Sequence, residues 1–132
     1  MLCRADLTAW RDADTVRAAL ERVPYLVVLD TERREVVEYA SVALPIATHA
    51  ETDGTFSNHA DRVQRFHRAI ALPGEVRDGW SVLGDLAAWL TGQPTGGDAE
   101  AVFAALAAEC GTFRGLSYER LGGAGAPASA TA

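Results

Sequence analysis

The sequence predicts an α/β domain built on short parallel strands, and three observations support this prediction. Residues 25–29 form an unbroken apolar run rich in β-branched side chains, which is typical of a parallel strand covered on both faces. A short amphipathic stretch separates this run from a second one at residues 41–44, as in a parallel crossover. Two later segments repeat apolar residues at helical spacing. We therefore expect a partial Rossmann-like unit of short parallel strands with a crossover helix, a long ordered loop and two C-terminal amphipathic helices.

The first part of the chain is predicted to form a helix followed by a compact βαβ unit. Apolar residues at helical spacing predict the helix over residues 12–22, with Asp14 as its cap and Pro24 as its end. The unit that follows consists of a buried strand, a crossover helix and a second strand, at residues 25–29, 31–40 and 41–44.

The middle of the chain is predicted to be a long ordered loop. Residues 45–60 lack periodicity and are rich in Thr, Asn, Asp, Gly and His, which bond their own backbone or tolerate positive φ. A loop of this length in a small domain is usually functional or packed against something else. Residues 62–66 alternate as in a short strand.

Two amphipathic helices are predicted after this strand. The first covers residues 76–90 and ends at Gly92, and the second begins at Asp98 as its N-cap and ends at Gly111. Cys110 lies on the apolar side of the second helix, so we expect a buried or inert thiol. The apolar face of that helix is predicted to carry Val102, Phe103, Leu106, Ala107 and Cys110.

The predicted domain organisation is a single domain with a C-terminal tail. Residues 1–121 are expected to form a partial α/β domain, since 132 residues with a 48% hydrophobic fraction suit one core. Residues 122–132 carry too little apolar surface to offset their ordering entropy, so a disordered tail is expected there.

Composition excludes several classes of function. The net charge is −6 and every basic residue is Arg, which argues against nucleic-acid binding. No apolar run approaches the roughly 20 residues needed to span a bilayer, and the N-terminus lacks a secretory signal. We therefore expect a cytoplasmic protein that reaches the cytoplasmic face of a membrane only through partners.

Metal and acid–base chemistry have little support in the sequence. Cys3 and Cys110 are far apart and have no further ligand at metal-binding spacing, so this chain alone predicts neither a zinc site nor an iron–sulfur cluster. The histidines, which are His49, His59 and His67, fit no ligand pattern. Glu51 and Asp53 resemble turn residues more than a catalytic pair, because Asp53 precedes a glycine.

The segment 51–64 is the strongest candidate for a binding site. It combines carboxylates, hydroxyls, an amide, a glycine and an arginine directly after a predicted strand, and ligand clefts in α/β sheets form at the carboxyl ends of strands. The alternative is structural, in which Glu51, Asn58 and Arg62 tie the loop to itself and to a neighbour. The residues by themselves leave both interpretations open.

At these residues the chain resembles the molybdopterin oxidoreductase superfamily. The resemblance covers roughly residues 5–125, and it is closest to the distal part of the large, 75-kDa-type subunit of NADH-quinone oxidoreductase (respiratory complex I), with the formate dehydrogenase alpha subunit as a close relative. It rests on four ordered motifs: Ser41-Val-Ala-Leu-Pro45, Glu51-x-x-Gly54-Thr55-Phe56-x-Asn58, Arg62-Val63-Gln64-Arg65, and Pro73-Gly74-Glu75 followed by Trp80. The chain departs from the family pattern at Ser41, Thr52 and Ala60-Asp61, where the family has Asp, Lys and Glu-Gly.

The resemblance implies a set of cofactor contacts in the central segment. The corresponding residues here are Glu51, Gly54, Thr55, Asn58, Arg62 and Gln64. The implied ligand is a molybdopterin guanine dinucleotide, which needs a partner domain because this chain lacks the family's pterin-binding C-terminal domain. The resemblance places iron–sulfur clusters in partners and gives this chain no catalytic or metal-ligating residue.

The leading functional hypothesis is therefore a truncated or split family domain. It would act as a structural and docking component of an NADH dehydrogenase electron-transfer complex, without catalysing the reaction alone. A short sheet with unpaired edges supports the expectation of a partner surface. One alternative is part of a formate-dehydrogenase-like molybdoenzyme subunit that contributes to a pterin dinucleotide pocket. Another is a small-anion-binding α/β module that uses Arg62 and backbone amides.

Overall fold

Two three-stranded sheets organise the chain in the computed structural model, which describes residues 1–5, 7, 12–94 and 96–128. The first sheet is parallel, with the order β1-β2-β3. Its strands are β1 (Leu2–Cys3), β2 (Val27–Asp30) and β3 (Val42–Pro45). The predicted α/β class with short parallel strands is confirmed. β1 was not predicted because two residues are too short to show a pattern.

Strand β2 is covered on both faces, as its unbroken apolar sequence requires. Val28 packs with Leu26 in a cluster on one face. Leu29 packs on the opposite face with Ile46, in a separate cluster. Because successive side chains in a strand point to opposite faces, a strand buried on both sides reads as a continuous apolar run.

Helix α1 (Ala13–Glu21) lies against the first of these faces through Leu20. Its N-cap is Asp12, whose carboxylate accepts a hydrogen bond from the Thr15 amide at 3.3 Å, so the prediction of Asp14 as the cap was wrong. The Arg17 guanidinium joins α1 to the crossover by a two-pronged bond to Glu35, with N···O distances of 2.5 and 3.0 Å.

The predicted crossover helix is a single 3₁₀ segment, Glu35–Tyr39. Only Val36 of this segment is buried, and it contributes to the same cluster as Leu20. A crossover so short covers one face of β2 with little more than one turn, and the chain then passes directly into β3. The Ser41 hydroxyl helps this return by accepting the Leu26 amide at 3.1 Å.

The predicted loop at residues 45–60 is partly a strand, which corrects the sequence prediction. β4 (Gly54–Ser57) pairs antiparallel with β5 (Arg62–Phe66), and β5 lies where a strand was predicted. The Phe56 and Phe66 rings stack with their centroids 4.5 Å apart. β4 was not predicted because its Gly, Thr and Ser residues are typical of loops. Its extended conformation is stabilised by pairing with β5 and by the ring stacking.

The C-terminal segment also differs from the predicted disordered tail. Ala126 and Pro127 form a third strand, β6, which pairs antiparallel with the start of β5. The Ala128 amide donates to the Asp61 carbonyl at 2.7 Å. Ala126 is buried in a cluster with Val63, so even a small side chain is stabilised by packing here. Residues 129–132 of the predicted tail lie outside the described residues.

The helices after β5 are α2 (Gly79–Thr91), α3 (Ala99–Glu109) and the single-turn α4 (Tyr118–Leu121). Both predicted amphipathic helices are present, and Gly92 ends α2 with φ of 68° as predicted. Asp98 caps α3 by accepting the Ala101 amide at 2.9 Å.

Among the described helices, none is long and apolar enough to cross a membrane.

The buried face of α3 matches the predicted one only in part, at Phe103 and Ala107. Its buried residues are Ala99, Phe103 and Ala107, whereas Val102 and Leu106 are 41% and 43% exposed. Cys110 is half-buried at the C-cap instead of being part of a buried face. The buried residues follow a spacing of four, because α3 packs on the antiparallel sheet through Phe103, and neighbouring apolar positions remain at the surface.

We expect Leu29→Ala to destabilise the fold strongly, because Leu29 is fully buried between the parallel sheet and α2. Truncating a buried leucine lowers the free energy of unfolding by about 2–5 kcal/mol. The matched control is Trp89→Ala, since Trp89 is 82% exposed and should change this value by less than about 0.5 kcal/mol. Urea denaturation followed by circular dichroism measures both, and equal losses would contradict the proposed core.

Stability should also fall at alkaline pH because of Tyr118. Burial raises the pKa of the Tyr118 phenol above its ordinary value of 10.0, an effect that the Arg65 guanidinium near its ring partly offsets. The unfolded chain therefore loses this proton at lower pH than the folded chain, and the contribution to stability is present below pH 10.0 and lost as the pH rises through the folded pKa. Denaturation midpoints at about pH 9 and pH 11 should differ less in Tyr118→Phe than in the parent chain. If the denaturation midpoint falls equally in both proteins, a group other than Tyr118 causes the alkaline sensitivity.

Candidate functional site

Glu51 stabilises the turn that leads from the parallel sheet to the hairpin. Its carboxylate accepts the Thr48 amide at 2.8 Å, and its own amide donates to the Thr48 carbonyl at 3.1 Å. The side chain therefore closes the turn at residues 48–51. This is the structural alternative considered for Glu51 from the sequence.

Asn58 and Arg62 hold the end of the β4–β5 hairpin. The Asn58 side-chain oxygen accepts the amides of Ala60 and Arg62 at 2.9 and 3.0 Å. The Arg62 guanidinium donates to the carbonyl oxygens of Gly125 and Ala124 at 2.7 and 3.2 Å. Arg62 thus connects the hairpin to the segment before β6, and its guanidinium is engaged with the chain's own backbone.

The other predicted site residues lie within the strands. Gly54 faces Phe66 so closely that a Cβ atom would be 3.0 Å from its ring, which explains the glycine. Gln64 is the cross-strand partner of Phe56, and Thr55 is next to Gly54 in β4. The structure therefore brings five of the six predicted residues into one hairpin and places Glu51 in the preceding turn. Their role as cofactor contacts stays a prediction.

A network of charged side chains anchors the hairpin to α2. The His67 ring nitrogen Nδ1 lies 3.2 Å from an Asp53 carboxylate oxygen, and the Arg68 guanidinium donates to Asp78 at 3.0 and 3.2 Å. The Thr52 hydroxyl also bonds Asp78, at the residue before α2. The bonds to Asp78 are shielded from solvent, since the Asp78 side chain is 14% exposed and Thr52 is buried. The His67–Asp53 pair joins residues on either side of the hairpin and is more exposed, so it contributes less.

Polar side chains from all three strands meet at the carboxyl edge of the parallel sheet. The sequence pointed to the segment after the second predicted strand, but not to the residues that follow β1 and β2. A cavity of about 450 Å³ lies at this edge. It is lined by Arg4, which follows β1, by Thr31, Glu32 and Arg34, which follow β2, by Thr48 and His49, which follow β3, and by Phe56. A second cavity of about 400 Å³, next to β3, shares Thr31 and Glu32 and is lined mostly by apolar side chains.

Asp30 is the buried carboxylate at this edge. It is 6% exposed, and its Oδ1 atom accepts the Thr31 amide at 2.7 Å. Its Oδ2 atom has no hydrogen-bond partner among the described residues, and Arg34 lies at 4.0 Å, beyond hydrogen-bond distance. A buried oxygen in this state is an acceptor to which a ligand can donate.

Arg4 provides positive charge on the opposite side of the same edge. It adopts a φ of 52°, which is uncommon for a residue with a side chain. Its amide donates to the Leu29 carbonyl at 2.9 Å, and its guanidinium donates to the Ala47 carbonyl at 2.8 Å. These bonds fix Arg4 across the ends of all three parallel strands.

The edge therefore combines two kinds of binding chemistry. A buried acceptor suits N–H or hydroxyl donors, whereas guanidinium groups suit phosphate oxygens. Ligands in open α/β sheets bind at this end of the strands. The sequence signal for Asp30 is its place directly after the first predicted strand, which is also the position of an ordinary strand end. Among the described residues, no group of three or more His, Cys, Asp or Glu side chains could hold a metal ion.

Comparison with known proteins finds relatives that are named as subunits of redox enzymes. The chain is 35% identical over 118 residues to F420-dependent formate dehydrogenase 2 subunit alpha of Methanococcus maripaludis, covering 88% of this chain and 18% of that protein. It is 33% identical over 87 residues to NADPH-Fe(3+) oxidoreductase subunit alpha of Geobacter sulfurreducens, covering 66% of this chain and 10% of the relative. It is 31% identical over 90 residues to the assimilatory nitrate reductase catalytic subunit of Bacillus subtilis, covering 68% and 13%.

The chain spans less than a fifth of the length of each of these relatives. A family model described as molybdopterin oxidoreductase matches residues 1–88, which include the parallel sheet, the β4–β5 hairpin and most of α2. The chain belongs to the molybdopterin oxidoreductase family.

Proposed function

We propose that this chain is part of the large subunit of a formate-dehydrogenase-like molybdoenzyme, in which the carboxyl edge of its parallel sheet forms one wall of a molybdopterin guanine dinucleotide pocket. The observation that carries this proposal is the buried Asp30 carboxylate, whose Oδ2 atom lacks a hydrogen-bond donor among the described residues. Asp30 lines the cavity next to β3, which shares Thr31 and Glu32 with the neighbouring cavity that Arg4 and Arg34 line. The family match and the relatives named formate dehydrogenase support it.

The residues at this edge fit such a dinucleotide. Guanine offers two neighbouring N–H donors, which suit a carboxylate with a vacant acceptor such as Asp30 Oδ2. The pyrophosphate is anionic, and Arg4 and Arg34 line the neighbouring cavity. The bound cofactor would supply the redox chemistry, while this chain binds and orients its nucleotide end.

Other parts of the enzyme would supply the remaining functions. The chain covers 17–18% of the methanococcal formate dehydrogenase subunits, so iron–sulfur clusters, the rest of the cofactor pocket and the partner subunits belong outside the matched region. The two unpaired edges of the parallel sheet, on β1 and β3 among the described strands, are consistent with a unit that packs against further protein.

The more specific hypothesis of a docking component like the 75-kDa-type subunit of complex I is less well supported. Its motifs are shared across the family, whereas the relatives described above include a formate dehydrogenase subunit. The anion-module hypothesis relies on Arg62, whose Nη1 atom donates to the carbonyl oxygens of Ala124 and Gly125 at the far end of the hairpin. No unsatisfied buried polar group among the described residues supports it there, unlike Asp30 at the sheet edge.

We expect the chain to bind GDP more tightly than ADP, because GDP carries the guanine donors and the diphosphate of the proposed ligand. Asp30→Asn replaces an acceptor-only group by one that also carries an N–H donor, and it should weaken GDP binding about tenfold, since hydrogen bonds to charged groups contribute about 1.5–3 kcal/mol. Isothermal titration calorimetry measures both affinities.

The matched control for this experiment is Glu109→Gln, which removes an exposed carboxylate at the end of α3, outside the residues that line this edge. This variant should bind GDP like the parent chain. Equal binding of GDP and ADP, or unchanged GDP affinity in a folded Asp30→Asn variant, would remove Asp30 from guanine recognition and with it the main support for the proposal.

A further inference from the structure

A cavity of about 300 Å³ lies between the two sheets. Asp30 does not line it, but Arg4 and Phe56 line both this cavity and the one at the carboxyl edge of the parallel sheet. Cys3 and Arg4 line it from the end of β1, and Thr55 and Phe56 line it from β4. Consecutive residues of a strand point to opposite faces, so a cavity that touches both Thr55 and Phe56 extends along the strand's outer edge. The cavity therefore borders an edge strand of each sheet.

Strand β4 presents backbone groups to this cavity. The Asn58 amide bonds the Arg62 carbonyl, and antiparallel pairing alternates between residues that bond the partner strand and residues that point away. Phe56 therefore bonds β5, whereas Thr55 and Ser57 direct their N–H and C=O groups outward. Sheet order gives β4 no neighbouring strand on that side among the described residues, and α3 contacts β4 and lines the cavity with Val102 and Phe103.

The rest of the cavity wall is apolar but contains donors without acceptors. Its walls include Phe66, Phe103 and Leu83. Trp80 and Tyr118 also line it, and neither the indole N–H nor the phenol O–H has a hydrogen-bond partner among the described residues. Buried donors are nearly always paired in folded proteins, so these two groups indicate that a further molecule or segment supplies hydrogen-bond acceptors in this cavity.

The charges near the cavity favour an uncharged occupant. Arg65 lies over the Tyr118 ring at 4.4 Å, and the carboxylates of Asp53, Asp98 and Glu100 are within electrostatic reach of the same phenol. Arg4 also lines the cavity, so two guanidinium groups and three carboxylates surround the space and an occupant of either charge meets repulsion as well as attraction. Main-chain carbonyl groups are neutral acceptors, and an extended segment carries a row of them.

We propose that this cavity receives an extended, uncharged polypeptide segment that adds as a strand to the outer edge of β4. The segment comes from the part of a formate-dehydrogenase-like large subunit outside the matched region, which makes up more than four fifths of the relatives' length. Its carbonyl groups bond the outward amides of Thr55 and Ser57, and an apolar side chain fills the aromatic-walled space. The choice of this source rests on the proposed function.

The test uses a defined probe, the capped peptide acetyl-Val-Thr-Val-Thr-Val-amide, titrated into the ¹⁵N-labelled chain and followed by heteronuclear NMR. Binding should shift the amide signals of Thr55 and Ser57 and the indole N–H signal of Trp80. Thr55→Pro removes an outward amide without removing a bond to β5, and it should weaken binding at least about tenfold. Thr55→Ala keeps the amide and should bind like the parent chain.

Three outcomes would overturn the proposal: no shifts at up to about 5 mM peptide, shifts confined to other surfaces, or equal losses in the two Thr55 variants. The Asp30→Asn variant separates this proposal from the nucleotide proposal, because Asp30 does not line this cavity: the variant should weaken GDP binding and leave the peptide affinity unchanged. Each proposal can therefore fail while the other stands.

Discussion

The burial of β2 on both faces is the constraint on which the rest of the structure depends. Val28 must be covered from one side and Leu29 from the other, so elements are required above and below a sheet of only three short strands. Helix α1 and the 3₁₀ crossover cover the first face, and α2 covers the second. The same arrangement directs the ends of all three strands to one edge, where Asp30 and Arg4 are held.

Helix α2 links this core to the antiparallel half of the molecule. Val82 packs beneath Leu29, while Trp80, two residues earlier in the same helix, packs against the cluster of β5 and α3. Asp78, at the start of α2, holds Thr52 and Arg68 from either side of the hairpin. One helix thus positions the hairpin relative to the parallel sheet, and the cavity along β4 is the space left between them.

The parts of the fold that the sequence predicted are those in which local pattern and packing agree. The strand at β2, the strand at β5 and the glycine end of α2 each have a residue pattern that needs no distant partner to interpret. β4 and β6 have no such pattern, because Gly54 and Ala126 acquire extended conformation only by pairing with β5. Tertiary pairing here overrides weak local preference.

The candidate site was predicted less well, and for a related reason. The sequence directed attention to Asn58 and Arg62, whose hydrogen-bonding groups are occupied by the hairpin's own backbone. Asp30 has the sequence context of an ordinary strand end, because its importance depends on burial and on an unmade hydrogen bond that only three-dimensional packing reveals. Polar residue types indicate where a ligand could bind, but unused bonding capacity decides it.

The pairing of β6 has a consequence for the order of events during biosynthesis. β4 and β5 are neighbours in the chain and can form their hairpin as soon as both leave the ribosome, whereas Val63 meets Ala126 only after more than sixty further residues have been synthesised. Until then the second side of β5 is open to water or to chaperones. The pairing of β6 with β5 is therefore a late folding step, because it requires the chain to have been synthesised through residue 127.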